Sequence, residues 1–374
     1  MSETSAKKRV LIACGGTGGH LFPGISVGEV LKKRGHEVLL LISEKGIDAV
    51  VSEGHQDLEY RTMDTMGMGK LLSLRTLKFM ISTWKACRKS RGIVKDFGAD
   101  TVLGMGGFTS LPPIYAGKGA GCRTLIHDSN AIPGKANRLT ARFCDVVLTG
   151  FEECRAFFPG KDSRCVGTPI RPAFQEPVDR GKALEAFGFE EGRKTIVVMG
   201  GSQGARGVNR AVCRSLELLD LDSTQILHVA GSLDFDEVNA AYEKSEVRSH
   251  VVPFLHEMHY AYSLADLAVA RSGASTLAEL AFFGLPSILI PYPYAAEDHQ
   301  TKNAEIFTRV NAAVMARESN LEGAELGEMA RDLLRDDEEL KGMADKAGEL
   351  AVRDAAERIA DEIEKGGEGE SDGG

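Results

Sequence analysis

The chain has 374 residues, 45 Lys and Arg against 54 Asp and Glu (formal charge −9), and is 43% hydrophobic and 26% charged. Those fractions are near the averages of soluble globular proteins and argue against bulk disorder, a collagen repeat or an integral membrane bundle. The length exceeds what one hydrophobic core usually serves and predicts two domains.

The charge is uneven: residues 1–170 hold 24 basic and 16 acidic side chains (+8), whereas 171–374 hold 21 and 38 (−17). A basic half and an acidic half suggest domains with different partners. Seven scattered cysteines, with no C-x-x-C and no tight Cys/His cluster, indicate a reduced cytosolic protein rather than a disulfide scaffold or zinc module. The apolar run at 10–14 is too short for a signal peptide, and no stretch approaches the roughly 18 apolar residues of a membrane span. Any meeting with a membrane is therefore expected at its cytoplasmic surface.

Short β-branched or Leu-rich runs at 10–14, 38–42, 101–103, 124–127, 146–149 and 164–167 read as buried strands separated by helical segments. A second series follows at 195–199, 225–230, 251–254, 267–270, 287–290 and 313–316. This is the pattern of two Rossmann-like, doubly wound parallel-sheet α/β domains. Their limits fall at 8–168 and 194–350, joined by a polar, Pro-containing hinge at 169–193. Residues 351–365 read as a terminal helix able to pack back on the N-terminal domain, and the Gly/Glu/Ser/Asp-only stretch 366–374 as a disordered tail.

The first strand runs into Gly15-Gly16-Thr17-Gly18-Gly19-His20, and the seventh into Gly200-Gly201-Ser202-Gln203-Gly204-Ala205, 185 residues later. Without a Cβ, such loops let backbone N–H groups and a helix N-terminus approach an anion, so each is a candidate phosphate cradle; a tight turn without ligand is the plainer reading. Neither fits G-x-G-x-x-G or continues into Gly-Lys-Ser/Thr, which disfavours a dinucleotide or Walker site. Between them, residues 70–93 interleave Lys70, Arg75, Lys78, Lys85 and Arg88 with Leu71, Leu74 and Trp84, the composition of an interfacial helix on anionic lipid. The same residues also suit a helix with an apolar core stripe and a wet basic face. Further on, Arg271-Ser272-Gly273-Ala274-Ser275-Thr276-Leu277-Ala278-Glu279 offers two readings. Thr276 and Glu279 have capping-box spacing; alternatively, small residues open a helix N-terminus to phosphate while Glu279 accepts both hydroxyls of a ribose. The loop 291–304, with Gln300, follows a strand's carboxyl end, where α/β sheets bind ligands.

In order, GGTGGH (15–20), GMGGF (104–108), NAIPGKAN (130–137), VGTPIR (166–171), GGSQGA (200–205), RSGASTLAE (271–279) and EDHQTKNA (297–304) closely resemble the MurG family. The resemblance implies the GT-B glycosyltransferase architecture, two Rossmann-like domains separated by a cleft. It also implies inverting transfer of N-acetylglucosamine from UDP-N-acetylglucosamine to the C4 hydroxyl of undecaprenyl-diphospho-muramoyl-pentapeptide (lipid I), forming lipid II in peptidoglycan synthesis. By motif match, Ser202 and Ala274, Ser275 and Thr276 hold the UDP phosphates, with Leu277 and Ala278 on the same segment. Glu279 holds the ribose, Leu255 the uracil through its backbone, and Gln300 the sugar hydroxyls. Asn130 and Arg171 reach the donor from the other domain, and Thr17, Gly18 and Gly19 line the cleft. The implied partners are UDP-N-acetylglucosamine, lipid I and an anionic membrane surface met peripherally at the cytoplasmic face, with Lys70, Leu71, Leu74, Arg75, Lys78 and Trp84 as contacts. No nucleic acid, cofactor or metal is implied.

His20 falls where a helix begins, and the positive end of the helix dipole keeps imidazole neutral, as a general base requires; binding phosphate or capping the helix is its other reading. Asp220-Leu-Asp222 and Asp234-Phe-Asp236 resemble the metal-binding D-x-D of a different glycosyltransferase fold and read as surface acids away from the glycine loops. Where the family usually has His-Glu-Gln before Asn130, this chain has His127-Asp128-Ser129, and no role is carried to Asp128 or Ser129. Competing functions are a glycolipid synthase adding sugar to diacylglycerol, a UDP-sugar epimerase on the same fold, and a non-catalytic membrane scaffold. Ser202, Glu279, Gln300 and His20 argue against the last.

Overall fold

The computed structural model describes residues 6–15, 18–43, 57–63, 74–176, 178–201, 204–219, 223–321 and 324–365, with side chains from residue 82 onward in the helix beginning at Leu74. Contacts divide the chain into two units, 1–171 together with 353–374, and 172–352.

Among the described residues the first unit is a parallel sheet of β1 (Arg9–Ala13), β2 (Glu37–Ile42), β3 (Glu59–Thr62), β4 (Thr101–Gly104), β5 (Arg123–Asp128), β6 (Val146–Thr149) and β7 (Asp162–Cys165), in the order β3-β2-β1-β4-β5-β6-β7. Val10 and Ile12 enter one apolar cluster and Leu11 and Ala13 another. That is why β1 is apolar from Val10 to Ala13 rather than alternating: the part of a parallel strand covered on both faces needs a buried side chain at every position. α1 (Gly18–Lys33) supplies Leu21, Ile25 and Leu31 to the first cluster. α2 (Leu74–Phe97) and α3 (Leu111–Gly119) supply Ile93, Val94, Phe97 and Ile114 to the second. α4 (Lys135–Thr140) follows β5.

The second unit repeats the plan: α5 (Arg180–Phe187), β8 (Lys194–Met199), α6 (Arg206–Ser215), β9 (Thr224–Val229), α7 (Phe235–Glu243), β10 (Arg248–Val252), α8 (Met258–Leu264), β11 (Leu267–Ala270), α9 (Ala274–Phe283), β12 (Ser287–Leu289), α10 (His299–Arg309), β13 (Ala313–Met315), α11 (Glu325–Arg335) and α12 (Asp337–Glu349). All pairings are parallel, in the order β10-β9-β8-β11-β12-β13. In both sheets the strand order reverses beside the first strand, at β1/β4 and at β8/β11, which places each glycine loop at a topological switch point, where open α/β sheets bind ligands.

The differences from the sequence reading lie at sheet edges. β3, absent from the expected strands, is Glu-Tyr-Arg-Thr, partly exposed along its length and paired only with β2. β7 sits two residues earlier than expected, and β10 covers 248–252 rather than 251–254. An edge strand has one neighbour and a wet face, so its residues lack the apolar run that marks a central strand. The stretch 169–193, read as a hinge without regular structure, contains a 3₁₀ turn (Pro172–Gln175) and α5. Two of its residues cap α5: Asp179 accepts from the Lys182 N–H at 3.1 Å and Gly188 closes the helix in the left-handed conformation.

α13 (Ala355–Glu364) belongs to the first unit although it comes from the chain's far end. Ala356, Ile359, Ala360 and Ile363, at helical spacing, join the cluster of Val10, Ile12 and Leu31. Lys8 Nζ donates to the terminal carbonyls of Ile363 and Glu364, both at 2.8 Å, complementing the negative end of the helix. His36 Nδ1 accepts from the Lys8 N–H at 3.1 Å, so its Nε2 carries the proton donated to Glu364 at 2.8 Å. Arg34 bridges Asp361 and Glu364, and Arg164 meets Glu362. The tail 366–374 lies outside the described residues.

Candidate active site

In the first unit, His20 is the third residue of α1, and its half-buried imidazole lies against glycine backbone. A Cβ on Gly15 would run into the ring, and one on Gly106 would come within 3.0 Å of Nε2. Gly106 also has φ +114°, a backbone that favours glycine, so the GMGGF motif after β4 serves to make room for this histidine. Desolvation holds the ring's pKa below that of an ordinary histidine, against a smaller upward pull from Asp128. The positive end of α1 acts in the same direction as desolvation. His20 is therefore neutral at physiological pH and chemically fit to accept a proton.

Asp128, to which the sequence assigned no role, organises the surroundings. It is only 3% exposed and accepts from Asn130 N (3.0 Å), Asn130 Nδ2 (3.3 Å), Gly134 N (3.0 Å) and Asn137 Nδ2 (2.7 Å). Asn137 Oδ1 in turn accepts from Gly107 N at 3.0 Å. One buried carboxylate thus folds the NAIPGKAN loop and, through Asn137, fixes the glycines that wall His20. Arg171, at the end of this unit, lays its guanidinium 4.0 Å over the ring of Phe22, one turn along α1 from Gly18.

In the second unit, β8 leads into the GGSQGA loop, where Gly204 adopts φ +77° and a Cβ would sit 2.6 Å from the Ala230 carbonyl at the end of β9. Within its D-x-D, Asp236 is exposed as read, but Asp234 is not a surface acid: it is 6% exposed and pairs with Arg206 Nε at 2.9 Å, beside the loop rather than away from it. Asn209 Nδ2 bridges the Ala230 carbonyl and Asp234, so Asn209 Oδ1 accepts from His228 Nε2 at 3.1 Å. Asp234 is committed to holding the start of α6. Asp220 and Asp222 lie outside the described residues.

The capping box is not formed. α9 begins at Ala274 behind Gly273, with no side-chain cap, which puts Thr276 and Glu279 inside the helix. The first amides of α9, at Ala274, Ser275 and Thr276, are thus left to an incoming anion, and the helix dipole favours one there. Leu277 faces the core, and Ala278 and Glu279 are half-buried on the next turn. Glu279 Oε2 accepts from the Tyr262 hydroxyl at 2.7 Å. Gln300, the second residue of α10, accepts the Tyr292 N–H on its side-chain oxygen at 2.8 Å, leaving its NH₂ as the donor end. The preceding Glu297 and Asp298 both have left-handed φ (55° and 54°), strain of the kind that collects at ligand loops. Leu255 is half-buried in the β10–α8 loop, at the same carboxyl end of the sheet.

Of the sequence-predicted residues, Thr17, Ser202, Lys70 and Leu71 lie outside the described residues, as do the side chains of Leu74, Arg75 and Lys78. Trp84 is described and is 63% exposed. The seven cysteines are free thiols, and burial pushes Cys14 and Cys144 up to about 12, which removes them as nucleophiles.

Two family models match: the glycosyltransferase family 28 N-terminal domain over residues 10–149 and the family 28 C-terminal domain over 195–359. UDP-N-acetylglucosamine--N-acetylmuramyl-(pentapeptide) pyrophosphoryl-undecaprenol N-acetylglucosamine transferase from Desulforamulus reducens is 35% identical over 96% of this chain and 98% of its own length. The enzyme of the same name from Myxococcus xanthus is 40% identical over 94% and 91%. The chain belongs to the MurG family. The crystal structure of Acinetobacter baumannii MurG superposes with a TM-score of 0.76 at 28% identity, covering 96% of this chain and 99% of that one. The calicheamicin glycosyltransferase CalG4 (TM-score 0.70, 13% identity, 96% and 98% covered) shares the fold alone, the GT-B class. The same holds for the Staphylococcus aureus MnaA–UDP co-structure (TM-score 0.69, 13% identity, 98% and 100% covered). MurG membership thus rests on sequence over nearly the whole chain, whereas likeness to other GT-B proteins reaches only architecture.

Proposed function

We propose that this chain transfers N-acetylglucosamine from UDP-N-acetylglucosamine to the C4 hydroxyl of lipid I with inversion, yielding lipid II, and works at the cytoplasmic face of the membrane. The observation that carries the reading is the uncapped start of α9 followed, within the helix, by the Glu279 carboxylate held by Tyr262, which suits a diphosphate at the helix end and a diol at the carboxylate. In this reading Ser202 and the amides at Ala274, Ser275 and Thr276 take the diphosphate. Glu279 takes the ribose, the Leu255 backbone the uracil and Gln300 the sugar hydroxyls. His20 removes the proton from the acceptor's C4 hydroxyl as its oxygen bonds to the anomeric carbon. The bond from that carbon to the β-phosphate oxygen breaks, and UDP leaves with the electron pair, stabilised by amides and helix dipole. Thr17, Gly18, Gly19, Asn130 and Arg171 complete the binding set. Labelled UDP-N-acetylglucosamine offered to lipid I and diacylglycerol together tests the choice of acceptor. Label in the lipid I product is expected; label in diacylglycerol alone would assign the chain to glycolipid synthesis.

For the membrane face, α2 supports both sequence readings at once. Ala86, Ser90, Ile93, Val94 and Phe97 are buried, while Trp84, Lys85, Arg88, Arg91 and Lys95 are exposed on the other side. Tyr115 on α3, 41% exposed, adds an aromatic beside Arg91. No described helix is long and apolar enough to cross a membrane. Removing one such cation costs about 1 kcal/mol of attraction to an anionic surface, and losing the tryptophan removes an interfacial anchor. Trp84→Ala/Arg88→Gln should therefore cut co-sedimentation with phosphatidylglycerol vesicles at least about fivefold, with turnover on a water-soluble acceptor unchanged. Equal sedimentation of both proteins would remove this face from membrane docking.

A further inference from the structure

We infer that Tyr262, on α8, is the positioning residue that makes the Glu279 carboxylate selective for a ribose over a deoxyribose in the donor nucleotide; the inference rests on the reading of Glu279 as the ribose ligand. Tyr262 is 3% exposed, and its hydroxyl donates to Glu279 Oε2 at 2.7 Å and lies 3.3 Å from Met199 Sδ, at the last residue of β8 before the glycine loop. The phenol ring is packed among aromatic side chains. It meets Phe174 edge-on at 5.8 Å between centroids and Phe283 at 5.2 Å, and Phe174 itself packs on Phe283 at 6.1 Å.

The consequence follows from carboxylate chemistry. An ionised carboxylate has two oxygens and about four acceptor sites, and a glutamate on the exposed side of a helix samples several rotamers. A vicinal diol pairs well only when both oxygens are presented to it at once. A hydroxyl locked in an aromatic cluster, donating a charge-assisted hydrogen bond to one oxygen, selects a single orientation before the ligand arrives and lowers the entropy lost on binding. Because the same hydroxyl touches the end of β8, the carboxylate is referenced to the strand that bears the phosphate loop, so the diol and diphosphate sites keep a fixed separation. Phe174 lies three residues past Arg171, where the chain enters this unit, and its ring anchors that entry to the same cluster.

Titration calorimetry with UDP and 2′-deoxy-UDP on the full chain, for the wild type, Tyr262→Phe and Glu279→Ala, tests this. Tyr262→Phe keeps the ring and removes only the donor. It should weaken UDP about tenfold and 2′-deoxy-UDP less than about twofold, with an unchanged melting temperature, a raised KM for the donor and a nearly unchanged kcat. Equal loss for both nucleotides would reduce Tyr262 to a structural role, and no loss for either would remove it from the site; each overturns the inference. If Glu279→Ala abolishes the preference for ribose while Tyr262→Phe keeps it, positioning fails and the ribose reading stands. If Glu279→Ala itself keeps the preference, both fall.

Discussion

His20→Ala should lower kcat by about 10²–10⁴-fold, the usual contribution of a positioned general base, while the affinity for UDP-N-acetylglucosamine stays within about twofold. The split follows from where the groups sit: His20 is on α1 of the first unit, whereas the proposed diphosphate, ribose and uracil contacts belong to the second. Acidity gives a second reading of the same residue. A base must be neutral to act, and burial lowers the pKa of His20. The acid limb of kcat/KM should therefore fall below about 6.5, the ordinary value for histidine, and should be missing from the residual activity of the variant. For stability, a lowered folded pKa means the unfolded chain binds the proton first, so acidification below about 6.5 destabilises the first unit. A variant that loses donor affinity in step with turnover would reassign His20 to phosphate binding.

Glu279→Ala should weaken UDP by at least about 100-fold, because two hydrogen bonds to a charged group are lost, each worth roughly 1.5–3 kcal/mol. The same change strips the buried Tyr262 hydroxyl of its acceptor at Oε2, which costs stability in its own right. Calorimetry therefore needs a melting curve beside it. Loss of affinity in a protein that remains folded at the assay temperature supports the ribose role, and an unchanged Kd for UDP removes it. Glu279→Gln keeps an acceptor oxygen and should fall between the two.

The central strands were legible because burial on both faces selects apolar residues: the buried positions of β1, β2 and β11 are Val, Leu, Ile and Ala throughout, and β8 is Ile-Val-Val-Met after Lys194 and Thr195. The edges were not, since Glu59 to Thr62 carries polar side chains on a strand with a single neighbour. In the site, spacing found the glycine loops and the α9 segment but left two readings of how α9 starts, because a Thr three residues before a Glu looks the same whether or not the helix begins there; the structure starts the helix at Ala274. Asp234 was misread for a related reason. An acid in a polar loop pattern gives no sign that Arg206 and Asn209, more than 20 residues earlier, will enclose it. Tyr262 stood out in no motif, and Asp128 only as a departure from the family's pattern. Their partners, Glu279 and Asn137, are 17 and 9 residues away, and only the folded sheet brings them together.

The anomeric configuration of the product tests the central claim most directly. UDP-N-acetylglucosamine labelled with ¹³C at the anomeric carbon, incubated with a lipid I analogue, should give a labelled disaccharide lipid whose anomeric carbon resonates as a β-glycoside, with one UDP released per label transferred. An α-linked product, labelled UDP-N-acetylmannosamine with no lipid product, or UDP release without label in lipid would contradict it.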